Sequence, residues 1–221
     1  MNIFWFRRDL RIEDNVGLFH ALSSNEEVLP IFIFDEIILS ELPKDDARVT
    51  FIHEQLEKIQ SELNKIGKSL AVFHGNPIDV FTKLISENKI TSVYTNHDYE
   101  PYARKRDKEL NQLFVSNGIS FLTSKDQVIF EKSEVVKDDG SPYVVYTPYS
   151  KKWKENFKKI KLVHYPSEEK LDKILFNQSI ILNLLLQIQS KVNESQFAED
   201  YVANLAAQMA EIILGNNIVR K

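Results

Sequence analysis

Residues 1–15 read MNIFWFRRDLRIEDN. Ile3 to Phe6 are apolar enough to form a buried strand, yet Arg7, Arg8, Asp9 and Arg11 follow directly. Comparable β-rich runs recur at Val28–Phe34, Leu70–Phe73, Ser92–Thr95 and Ile119–Leu122. Segments with helical periodicity separate them. Asn15 to Leu22 is a short one, and Asp46 to Ile66 is long, with Val49, Ile52, Leu56, Ile59, Leu63 and Ile66 at three- and four-residue steps. Asn76-Pro77 and Glu100-Pro101 open two more, each with proline at the first helical position. Gly118 stands where a helix C-terminus favours glycine.

Strands that are apolar almost throughout, alternating with helices, are the mark of a parallel sheet covered on both faces. Right-handed crossovers then predict a Rossmann-like, doubly wound α/β sheet of about five parallel strands. In such sheets ligands bind beyond the carboxyl ends of the strands, near the point where strand order reverses. The charges behind Phe6 therefore stand where the fold places its binding crevice.

The rest of the chain reads differently. Lys137-Asp-Asp-Gly-Ser-Pro142 is a turn between two short β-rich runs, which predicts a hairpin, and Pro148 begins a predicted helix. After Pro166 there is no proline and one glycine, Gly215, which predicts a helical tail with Leu171, Ile174, Leu175, Ile181, Leu184 and Leu185 on one side. Three segments result: an α/β domain over 1–130, a closing hairpin, helix and linker over 131–165, and the tail over 166–221.

Composition narrows the chemistry. The 221 residues contain no cysteine, which removes thiolate metal sites, cysteine nucleophiles and disulfides. The five histidines show no HExxH or i, i+4 pairing, so a zinc site is not expected. No GxGxxG, Walker loop or GxSxG elbow is present. Arginines interrupt the first apolar run, so it is not a signal peptide, and IILNLLLQI is too short to span a bilayer. A cytoplasmic protein without membrane contact is expected. Net charge is −4, which does not announce nucleic-acid binding. The one basic cluster, SKKWKENFKKIK at 150–161, reads first as a solvated helix face.

What remains is a set of polar residues at predicted strand ends. They are Arg7, Arg8 and Asp9 after the first strand, Phe34 and Asp35 at the end of the second, and Asn96, His97, Asp98, Tyr99 and Glu100 after the fourth. Arg48 lies near the start of the long helix. Arginines beside carboxylates suit a planar, polar heteroaromatic ligand. The same residues, with Arg11 and Asp14, would equally make an ion-pair network tying loops together, and spacing alone leaves both readings open. Glu100 at a helix start makes that end a poor phosphate site.

Four stretches together resemble the photolyase/cryptochrome family: WFRRDLRIEDN at 5–15, ARVTFIHEQLEKI at 47–59, NHDYEPYARKRD at 96–107 and YVVYTPYSKKWKENF at 143–157. They occur in the family's order and spacing and cover residues 1 to about 160 of its amino-terminal α/β domain. Full-length members are flavoproteins that repair pyrimidine dimers in DNA, as carbon–carbon lyases, or sense blue light. Their α/β domain can hold an antenna chromophore that passes excitation energy to FAD.

The resemblance implies that Arg8, Asp9, Phe34, Asp35, Arg48, Asp98 and Glu100 bind such a chromophore. Deazaflavin or FMN is implied rather than folate, because Tyr102-Ala103 stands where folate-binding relatives carry Asn-Glu. The signature of the family's FAD-binding helical domain is missing after Pro166, so no FAD site or catalytic residue is assigned, and repair by this chain alone is not expected. Damaged DNA is accordingly a partner of full-length members only. An alternative is a stand-alone interaction module that self-associates through the apolar tail, especially Ile180–Ile188.

Overall fold

The computed structural model describes residues 1–43 and 45–175. Five strands form one parallel sheet: β1 (Asn2–Phe6), β2 (Val28–Asp35), β3 (Ala71–Gly75), β4 (Ser92–Asn96) and β5 (Ser120–Ser124). Their order across the sheet is β3-β2-β1-β4-β5, so strand order reverses between β1 and β4, as the doubly wound reading requires. Register pairs Phe6 with Phe32 on one side of β1 and Trp5 with Thr95 on the other.

Alternation along β1 explains why the strand is apolar without interruption. Phe4 and Phe6 face one layer, where they pack with Leu18 and Leu22 of α1 (Val16–Leu22) and with Leu56, Ile59 and Leu63 of the long helix at Ala47–Asn64. Ile3 and Trp5 face the other layer, against Phe81 and Leu84 of the helix at Pro77–Glu87 and Leu110 and Phe114 of that at Pro101–Ser116. Both faces are dry, so both sets of side chains must be apolar.

The short helix α2 (Glu36–Ser40) follows β2 directly, making the long helix α3, the next two α4 and α5, and a last one, Tyr146–Phe157, α6. Asn15, Asp46 and Asn76 cap α1, α3 and α4 by accepting a backbone N–H two or three residues on. No helix among the described residues is long and apolar enough to cross a membrane.

Three expectations are corrected. The turn at 137–142 exists, closed by Lys137 N–H to the Ser141 carbonyl and Gly140 N–H to the Lys137 carbonyl, but it joins no strands. The incoming flank curls into a 3-10 turn at Lys132–Glu134, in which the Glu131 and Glu134 side chains satisfy each other's backbone amides. The outgoing flank pairs with no strand, and Val144 is 92% exposed. The last helix begins at Tyr146, two residues before Pro148.

The third correction concerns the start of the tail. Ser167–Lys173 is a 3-10 helix on α1, after which Ile174 pairs in parallel with Val28 and Leu175 N–H donates to the Val28 carbonyl at 2.7 Å. Ile174 is buried because it fills the slot beside β2 that β3 leaves empty, since β3 pairs only from Ile31 onward. Residues 176–221, and with them the expected tail helices and self-association surface, lie outside the described residues.

Candidate functional site

The loops leaving β1 and β4 meet at the strand-order reversal, and a buried amide–carboxylate network joins them. Asp9 folds back on β1: its carboxylate accepts Arg7 N–H at 2.9 Å, Asn15 Nδ2 at 3.2 Å, and Asn96 Nδ2. Asn96 Oδ1 in turn accepts Gly17 N–H at 2.9 Å, and Asn15 Oδ1 accepts Leu18 N–H at 3.1 Å. The end of β4 therefore holds the first turn of α1. This geometry needs glycine at 17, where a Cβ would lie 2.6 Å from Asn96 Oδ1 and 2.9 Å from Phe4 Cε2. Gly17→Ala is expected to lower stability by about 1–3 kcal/mol through overpacking, read as a lower urea midpoint with unchanged m-value.

A second network lies on the α5 side. Arg7 forks onto Asp107 of α5 at 2.7 and 2.8 Å and also reaches the Asn96 carbonyl. Arg106 bridges Asp107 at 3.3 Å and Asp35 at 3.5 Å. Asp35 is fully engaged: one oxygen caps α2 through Ile37 N–H, and the other accepts the Tyr102 hydroxyl at 2.7 Å. Burial, and then the Asp35 charge, push the Tyr102 hydroxyl well above the ordinary tyrosine range. Both guanidinium groups lie near the Trp5 ring, Arg7 at 5.1 Å and Arg106 at 4.7 Å from its centroid.

The outward-facing rim is sparser. Arg8, 54% exposed at its side chain, lies 3.6 Å from Glu100 and 3.9 Å from Asp98. Asp98 is mostly covered and accepts Glu100 N–H at 3.2 Å, which sets the turn into α5. Phe34 is half-buried at the end of β2, edge-on to Phe32 at 5.0 Å. Arg48 stands on the first turn of α3 and forks onto the capping carboxylate of Asp46 at 2.6 and 2.9 Å. That pairing holds the Asp46 carboxyl down to about 2.

Behind the rim, His97 contacts Glu131 at 2.9 Å and Thr123 at 3.0 Å, tying β4 to β5 and the following loop. The Tyr99 hydroxyl is buried beside the Glu131 carboxylate without a well-formed hydrogen bond. Burial and then that charge raise its pKa strongly.

Of the seven residues singled out in the sequence, the structure groups Arg8, Asp98 and Glu100. It places Phe34 and Asp35 at the end of neighbouring β2, separates Arg48 onto its own cap, and encloses Asp9 in the amide network. The two readings left open for the charged exit divide by residue. Arg7 and Arg11 are ion-paired, but to Asp107 and Asp126 rather than to their sequence neighbours. Arg8 faces outward. Tyr102, Arg106 and Asp107 stand within the 96–107 stretch but are not among the site candidates read from the sequence, although Tyr102 and Arg106 at i, i+4 share one helix face. Asp126 and Glu131 lie in loops with no periodicity to betray them.

The comparisons with known proteins agree with this architecture. The family model described as DNA photolyase matches residues 2–169. The deoxyribodipyrimidine photo-lyase of a Synechococcus strain is 32% identical over 151 residues, covering 68% of this chain and 31% of that protein. The enzyme of the same name from Agrobacterium fabrum is 33% identical over 147 residues, covering 66% of this chain and 30% of that one. This chain thus spans about a third of the length of these relatives. Among solved structures, a class III photolyase from Agrobacterium tumefaciens superposes with a TM-score of 0.66 at 28% identity, covering 80% of this chain and 35% of that one. An archaeal photolyase from Sulfolobus tokodaii, described with two FAD molecules and a novel light-harvesting cofactor, gives 0.59 at 27% identity over 85% of this chain and 46% of that one. A sheet of order β3-β2-β1-β4-β5 carrying these strand-end residues, matched across the described residues by photolyase sequences and structures, places this chain in the DNA photolyase family.

Proposed function

We propose that the rim over β1, β2 and β4 binds a light-harvesting antenna chromophore of the deazaflavin or FMN class. The observation that carries this reading is the cluster of Arg8, Asp98 and Glu100 at the strand-order reversal, open to solvent on the arginine side. A planar, polar heteroaromatic needs donors and acceptors along its edge and an apolar surface beside them. Arg8 and Glu100 supply the edge groups, and half-buried Phe34 with the exposed Ile37 and Ile38 of α2 supply the surface.

The residues divide their work. Asp35, satisfied from three sides, positions α2 and α5 rather than meeting a ligand. Asp9 does the same for the β1 and β4 loops. Arg48 must release Asp46 to reach a ligand, an exchange of one exposed ion pair for another and therefore of small cost. A bound antenna supplies absorption at wavelengths the protein itself does not absorb. The chain's own part is to hold the ring and keep water from its edge. FAD binding, DNA repair and damaged DNA belong, in this reading, to the longer members of the family, and the chain alone is inactive as a lyase.

The test is titration of the full chain with FMN and with a deazaflavin, followed by fluorescence. Saturable binding is expected, weakened about tenfold in Arg8→Ala or Arg48→Ala, equivalent to about 1.4 kcal/mol for one charged contact. Failure to bind at high micromolar ligand would remove the proposal.

A further inference from the structure

Strand β5 ends the sheet on one side and is its least covered strand. None of its five residues is buried, whereas all five of β1 are. Phe121 packs on Phe114 of α5 at 5.2 Å, but α1, seven residues long, lies mainly over β4. Leu122, on the α1 side beside Tyr94, therefore stays 42% exposed.

The edge of β5 is open as well. Ser120 N–H donates to the Thr91 carbonyl at 3.2 Å, and the Ser124 carbonyl accepts His97 N–H at 2.8 Å. Ser120, Leu122 and Ser124 thus turn their backbone groups toward β4, and alternation turns those of Phe121 and Thr123 outward. No group among the described residues bonds to these outward amides and carbonyls. Edge strands are usually blunted by a charge, a proline or a bulge, and β5, reading SFLTS in unbroken register with β4, has none of these. Lys125, the first charge after it, is drawn onto Glu134 at 2.8 Å and the Ile129 carbonyl at 3.1 Å. The chain then crosses back toward β4 and α1, where Asp126 pairs with Arg11 and accepts Val16 N–H, and Gln127 Nε2 donates to the His97 carbonyl.

We propose that β5 is a self-association edge, which takes β5 of a second copy of this chain antiparallel about a two-fold axis through Leu122. The strand's own symmetry names the occupant. About that centre Ser120 meets Ser124, Phe121 meets Thr123, and Leu122 meets itself. Paired hydroxyls, an aromatic beside a β-branched residue, and two apolar side chains are the pairs that stabilise antiparallel strands. The outward backbone groups fit the same register. Phe121 and Thr123 of the second copy exchange both bonds, which leaves Leu122 in the closely spaced pair without backbone bonds. The contact is isologous and closes as a dimer. It is short, and so belongs among weak interfaces. It uses neither the rim nor the apolar stretch at Ile180–Ile188.

Sedimentation velocity of the full chain from about 10 μM to about 1 mM tests this, the range in which so small an interface is populated. A monomer–dimer equilibrium is expected. Leu122→Lys sets like charges opposite each other, and Thr123→Pro removes an outward N–H that the β4 ladder does not use. Each should weaken association about tenfold, and Leu122→Lys, at an exposed side chain, should leave the melting temperature unchanged. The absence of native cysteine lets register be read directly. Leu122→Cys should give a covalent dimer under mild oxidation. Ser120→Cys should not, because its two copies would lie roughly 13 Å apart along the strands. The proposal is overturned if the wild-type chain stays monomeric throughout, if Leu122→Lys and Thr123→Pro leave a dimer intact, or if Ser120→Cys cross-links as readily as Leu122→Cys.

Discussion

Arg106→Ala will cost about 3–5 kcal/mol of folding stability, the largest single loss expected outside the apolar core. The physical reason is the company Arg106 keeps. Its guanidinium is buried between Asp35 and Asp107 and lies over Trp5. Removing it leaves the Asp35 carboxylate enclosed with only the Tyr102 hydroxyl and the Ile37 amide for compensation. A buried charge that loses its partner costs far more than the pair contributed when intact. Chemical denaturation of the full chain measures the loss. The double variant Arg106→Met, Asp35→Asn, which removes both charges while keeping volume, should recover much of it. A loss below 1 kcal/mol for Arg106→Ala would mean that water reaches Asp35 and that the network is dispensable.

Asn96→Asp is the second large effect, and it carries a pH signature. Asn96 Nδ2 donates to Asp9, so the substitution sets two carboxylates against each other at hydrogen-bond distance, in a site closed to solvent. Both cannot ionise there, so one carboxyl in the folded variant titrates well above its unfolded value. A raised folded-state value means that the folded protein holds a proton the unfolded chain has released. The variant's deficit is therefore smallest below the unfolded carboxyl pKa, near 4, and grows as pH rises through the folded value. Relative to the parent protein, the variant should lose about 3 kcal/mol or more at neutral pH and distinctly less near pH 4.5. A deficit that does not change with pH would show that only the lost amide matters.

Both predictions concern residues that the sequence presented as ligand candidates or did not present at all. The fold itself was legible because burial on both faces writes a continuous apolar run into every central strand, and no local interaction competes with that signal. The helix starts at Asn15 and Asn76 are written just as locally, since each capping side chain and its amide are two or three residues apart. The hairpin at 137–142 was misjudged because β-propensity describes fit to a sheet, and Tyr143–Val145 pair with no strand. The start of the tail was misjudged in the opposite sense: Ile174 has helical neighbours in sequence but finds a vacant strand slot beside Val28.

The chain by itself determined the strand–helix alternation, the doubly wound topology and the rim at which polar residues gather, since hydrophobic periodicity and crossover handedness are written locally. Only the tertiary structure decided what each polar residue does there. Arg7 finds Asp107 a hundred positions away, Arg106 finds Asp35 across the sheet, and Asp9 finds Asn96 at the end of another strand. A charge acts through what stands within 4 Å of it, and that distance is set by packing rather than by sequence separation. WFRRDLR therefore divides residue by residue. Arg7 and Asp9 hold the crevice together, and Arg8 alone of the three is left facing out of it.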